Sequence, residues 1–98
     1  MTNEYKLAIE LKSEAIHAWV YEVTINKGVD YSIKTITVDK AYKEELVGES
    51  TNARTLVQES VMFLLEREPA TSILSEFNLK EINKYFKEYE ETIKELFG

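Results

Sequence analysis

The period of the hydrophobic pattern changes once along this chain, near residue 38, and that switch constrains the fold more than any motif does. Up to Val38, apolar side chains recur at every second residue, as on a sheet with one buried face; from Asp39 onward they recur at three and four, as on helices. No Gly/Ser-rich or Pro-rich linker separates the halves. At 98 residues the chain has room for one core. The expectation is a single α+β domain over residues 1–98, with strands at about 5–38 and helices at about 39–97.

Tyr5, Leu7, Ile9 and Leu11 alternate with Lys6, Ala8, Glu10 and Lys12, which predicts a first strand with one wet face, turning at Lys12–Glu14. The run Ile16–Asn26 predicts a second strand with His17, Trp19, Tyr21, Val23 and Ile25 on one face. Asn26-Lys27-Gly28 supplies a turn. Tyr31–Val38 is the third strand. Its apolar set shifts from Tyr31 and Ile33 to Ile36 and Val38, which calls for a bulge or for burial of both faces near its end. Short connections predict a three-stranded antiparallel meander, with three to four C-terminal helices packed on it.

Asp39 is placed to cap a short helix, Lys40–Leu46, that ends at Gly48. Thr51 or Asn52 caps the strongest helix, from Ala53 to about Glu68. Its apolar face (Leu56, Val57, Ser60, Val61, Phe63, Leu64, Leu65) covers more than half the circumference and marks the centre of the core. Pro69 limits that helix. Thr71 or Ser72 is read as starting a further short helix through Phe77. Asn78 and Glu81 form a capping-box pair, with Phe77 and Ile82 placed as a hydrophobic staple. Ile82, Tyr85, Phe86, Tyr89, Ile93, Leu96 and Phe97 then predict an amphipathic helix running nearly to the end.

Several chemistries are disfavoured by what the chain contains. It has no Cys, which excludes disulfides, thiolate metal sites and cysteine nucleophiles. His17 is its one histidine and is read as a strand residue rather than a catalytic base. The acidic set Glu88, Glu90, Glu91 and Glu95 reads as a solvated helix face, and the scattered glycines make no phosphate-cradling loop. Trp19, Tyr21 and Tyr31 read as core aromatics rather than a base-stacking platform. No catalytic residue, metal ligand, cofactor or cofactor-binding residue is therefore assigned. The longest unbroken apolar run, Val61–Leu65, is far short of a membrane span, and Met1–Glu4 carries no basic cluster, so the default compartment is the cytoplasm.

Net charge is −6, and residues 39–98 alone hold 8 basic and 13 acidic side chains. Nucleic acid is therefore a disfavoured partner. One arrangement works the other way. Strand Tyr31–Val38, helix Asp39–Leu46, Gly48 and helix Ala53–Glu68 together resemble a ribbon-helix-helix DNA binder over residues 31–68. That resemblance implies a strand paired across a dimer, read out through Ser32, Lys34 and Ile36, or through Thr35 and Thr37 in the other register.

The block Phe63-Leu64-Leu65-Glu66-Arg67-Glu68-Pro69, followed by Ser72-Ile73-Leu74 and later by Tyr85-Phe86 and Tyr89, resembles the C-terminal half of a family of small uncharacterised prokaryotic α+β proteins. The likeness covers roughly residues 30 to 90 and implies no activity, cofactor or partner. Members often carry a proline after the Tyr-Phe pair. With Lys87 in that place, the last helix is expected to run on unbroken. Glu66–Pro69 reads as a helix–proline joint or, on a second reading, as a partner-binding corner around Arg67.

The function expected from these residues is that of a non-catalytic accessory or regulatory module acting by protein–protein interaction. Its partner is another protein or a second copy of the chain, with Lys34 and Arg67 as candidate contacts. A DNA-binding regulator is the second reading, and a small enzyme the third.

Overall fold

The strand half obeys its alternation. In a computed structural model, which describes residues 5–98, three long strands form hairpins: β1 (Lys6–Glu14), β2 (Ala18–Lys27) and β3 (Asp30–Asp39). β1 pairs antiparallel with β2, and β2 with β3. Tyr21, Val23 and Ile25 of β2 and Ile36 and Val38 of β3 are buried on one face. Gly28 takes a positive φ of 63° in the hairpin between β2 and β3, a conformation that favours glycine.

Three expectations for this half are corrected. β1 does not turn at Lys12; its register shifts between Leu11 and Ser13, and the strand continues to Glu14. His17 lies in the following turn, exposed, where its carbonyl accepts the Lys40 N–H at 2.8 Å. β3 has neither a bulge nor two buried faces. Its pairing with β2 is regular, and the apolar set slips only because Lys34 occupies a core-facing position while Tyr31 and Ile33 face solvent.

The helical half covers the buried face. Helix α1 (Lys40–Val47) follows β3 directly and ends at Gly48, whose φ is 87°. Asp39 precedes it without capping it; its carboxylate instead meets Lys80 Nζ at 2.9 Å and accepts from Asn78 Nδ2 at 3.2 Å. Helix α2 (Ala53–Leu65) is capped by Asn52, whose side chain accepts the Arg54 N–H at 2.7 Å. All seven residues of its expected apolar face are buried, so α2 is the centre of the core, as its pattern predicts.

The sheet is not three-stranded. A short β4 (Glu76–Asn78) pairs parallel with β3, matching Thr35 to Glu76, Ile36 to Phe77 and Thr37 to Asn78, and makes a four-stranded mixed sheet in the order β1-β2-β3-β4. The helix expected from Thr71 or Ser72 to Phe77 is replaced by one 3-10 turn, Ala70–Ser72, followed by extended chain. Extension lets Ile73 and Phe77 both face the core while Leu74 and Glu76 face outward, and Ser75 O accepts the Thr35 N–H at 2.8 Å. The Asn78–Glu81 capping box forms as predicted and starts a 3-10 turn, Leu79–Glu81, that leads into α3 (Ile82–Tyr85).

The last helix is also broken. Phe86 is extended (φ −131°, ψ 94°), and a turn through Lys87 and Glu88 leads into α4 (Tyr89–Phe97). An unbroken helix would set Phe86 and Tyr89 at fixed helical spacing. The turn lets both rings meet Phe63 edge-on, at 6.0 and 5.2 Å between centroids. No helix among the described residues is long and apolar enough to cross a membrane.

Candidate functional site: an apolar cleft at the end of α2

The end of α2 is held by its own sequence. The backbone N–H groups of Arg67 and Glu68 both donate to Leu64 O at 2.9 Å, closing the last turn. The Arg67 side chain folds back over Phe63, its guanidinium carbon 3.5 Å from the ring centroid. Its Nη1 donates to Phe63 O at 3.0 Å, and its Nε donates to Glu88 Oε2 at 3.1 Å. Glu88's own backbone N–H, with Arg67 beside it, holds the Glu88 carboxyl below the ordinary carboxylate range. Arg67 thus ties the end of α2 to the turn before α4.

Past Pro69 the chain returns to the sheet beneath this joint. Lys34 fixes it from below: its Nζ donates to Ile73 O at 2.7 Å, and burial pushes its pKa down. With Ile73 turned in, Leu74 is turned out. Opposite, the capping box sets the pitch of α3 and places Tyr85 on the outside. Between these walls lies an open cleft of about 300 Å³. Leu64, Ile73, Phe77, Ile82 and Phe86 line it, and Leu74 and Tyr85 stand 54% and 70% exposed at its edges. Its polar residues are Ser72, Glu68 and Glu81. Glu81 is fixed in place, since its Oε1 accepts the Asn78 N–H at 2.9 Å. This surface is suited to taking an apolar group rather than to moving protons.

The sequence-predicted candidates fall apart spatially. Lys34 is 5% exposed beneath the Ile73 loop, and Arg67 is engaged by Phe63 and Glu88. Trp19 and Tyr21 lie on the core face, with Lys40 Nζ 5.1 Å from the Trp19 ring centroid, whereas Tyr31 lies on the opposite face. The acidic set is divided: Glu88 meets Arg67, and Glu90 accepts from Tyr42 Oη at 2.8 Å. Segment 31–68 is arranged differently from a DNA-reading ribbon. β3 is paired with β2 along its length and with β4 at Thr35–Thr37, and Lys34 and Ile36 point into the core.

Sequence reasoning missed the cleft because its Leu74 edge depends on extended chain where a helix is expected, and its Tyr85 edge on the helix ending at Phe86 instead of running on. One signal was present. Ile73, Ser75 and Phe77 alternate, and Leu74 is out of phase with them, as an apolar residue on the wet side of a strand would be. No family model matches the chain, and no curated protein or solved structure matches it.

Proposed function

We propose that the chain is a non-catalytic accessory or regulatory module acting by protein–protein interaction, and that the cleft at the end of α2 receives its partner. The observation that carries this reading is the pairing of exposed Leu74 and Tyr85 with a buried apolar floor. An exposed apolar side chain alone is ordinary surface. Two of them bordering a concave apolar surface are the anatomy of an interface core with a polar rim.

The test is capture from native extract with the wild-type chain and with a Leu74→Glu/Tyr85→Glu double variant. Both positions are exposed, so the variant is expected to keep its denaturation midpoint. A partner held in fixed proportion by the wild type and lost by the variant is the expected result. Identical captured sets, from equally folded proteins, would overturn the assignment of the cleft.

A further inference from the structure

We infer that the segment this cleft takes is a basic one: a short stretch of another protein that inserts an apolar side chain and carries Lys or Arg beside it. The inference rests on the docking role proposed above and adds the chemistry of the partner.

Charge complementarity carries it. The cleft wall contains two carboxylates, Glu68 and Glu81, and no Lys or Arg. Glu81 is held by the capping box, so its charge stays at the rim without further ordering. The cations next in sequence to these two carboxylates are committed elsewhere, Arg67 to Phe63 O and Glu88, and Lys80 to Asp39 at 2.9 Å, while Lys84 and Lys87, beside Tyr85 and Phe86, are exposed and lie outside the lining. A neutral apolar segment entering the cleft would gain nothing from the rim. An acidic one would face two negative charges, that of Glu81 held in place, and a chain of net charge −6. A basic one gains both contacts and is steered toward the site by the field of the whole molecule. The volume of about 300 Å³ fits one or two anchoring side chains, not a helix in full.

The experiment selects a random displayed peptide library on the wild-type chain, on Leu74→Ser/Tyr85→Ser, which removes the apolar edges without adding charge, and on Glu68→Gln/Glu81→Gln. Gln at position 81 keeps the capping-box acceptor while removing the charge. Thermal denaturation confirms that each variant is folded. Selected peptides are then synthesised with a fluorophore and titrated at low and high salt. The expected result is wild-type selection of sequences with Leu or Phe next to Lys or Arg, lost on the Leu74/Tyr85 variant. Gln at both rim positions should weaken such a peptide by about three- to tenfold and flatten its salt dependence. Apolar peptides without basic enrichment, dependent on Leu74 and Tyr85, would overturn the basic-partner inference and leave the docking site standing. Selection indifferent to Leu74 and Tyr85 would overturn both. So would a dimer of the wild type that Leu74→Glu splits and that blocks peptide binding, since the occupant would then be a second copy.

Discussion

Two lysines in this protein are buried to 5% exposure, and each ends on a backbone carbonyl: Lys34 on Ile73 O and Lys43 on Glu49 O, both at 2.7 Å. The ammonium groups cap loops that would otherwise leave carbonyls unsatisfied, while their stems pack with the core. For Lys34 two effects oppose one another. Burial disfavours its charge, whereas removing it strands the Ile73 carbonyl at a cost of about 1–3 kcal/mol. Lys34→Met is therefore expected to lie within about 1 kcal/mol of wild type at pH 7 in urea denaturation. The pH trend is the sharper test. The folded pKa lies below the ordinary lysine value of 10.5, so between the two the unfolded chain binds more protons than the native one. Wild type should gain stability relative to Lys34→Met as pH rises through that window. Taking the difference between the two proteins removes Tyr21, Tyr42 and Tyr89, whose pKa values burial raises and whose effect has the opposite sign. A difference that falls with pH would show that the Lys34 charge is stabilised rather than penalised by burial.

At the scale of elements, α2 and the break before α4 make separable predictions. Leu56, fully buried in α2, should cost about 2–5 kcal/mol when truncated to Ala, because the cavity it leaves is walled by helix and sheet. A loss below about 1 kcal/mol in chemical denaturation would make α2 peripheral. The break is a β-turn: Tyr89 N–H donates to Phe86 O at 2.9 Å, and Glu88 has the φ of −80° and ψ of −2° of a type I third residue. Lys87 is the second residue, where proline fits, and Phe86 before it is already extended. Lys87→Pro is therefore expected to raise stability by about 0.4–1 kcal/mol, read as an upward shift in denaturation midpoint. A loss of that size would mean the Lys87 N–H or its φ matters. The contrast between these elements also explains what the sequence made legible. α2 and the strands β1 to β3 announce themselves because each runs for nine residues or more, long enough for a period to show even where β3 changes phase. β4 has three residues, too few for a period, and exists because β3 offers it an edge and the core offers Phe77 a place. The break at Lys87 was hidden for a related reason. Ile82, Phe86, Tyr89 and Ile93 keep helical spacing across it, and only the three-dimensional demand of Phe63 for two ring edges opens the turn.

On the scale of the whole molecule, the helices cover one face of the sheet and leave the other open. Across that open face Glu10 pairs with Glu22, Glu22 with Thr35, and Thr35 with Glu76, placing three carboxylates in one row. Like charges directly opposite destabilise a sheet. Glu22→Lys is accordingly expected to stabilise by about 0.2–1 kcal/mol at low ionic strength, with the gain shrinking as salt is added. A thermal melt series in salt reads both; a salt-independent gain would point to packing instead of charge. The one-sided covering of the sheet has a further consequence, for the order in which the protein is made. The whole meander, through Asp39, emerges from the ribosome before any residue that will cover it. Its inner face of Tyr21, Val23, Ile25, Ile36 and Val38 must wait for α2, and its Lys34 must wait for the carbonyl of Ile73. During that interval the nascent chain presents an apolar sheet with two unclosed edges, the kind of surface that chaperones hold and that neighbouring chains on a polysome pair with. The packing of α2 ends the exposure of the face, and the parallel pairing of β4 with β3 closes one of the two edges at Thr35–Thr37.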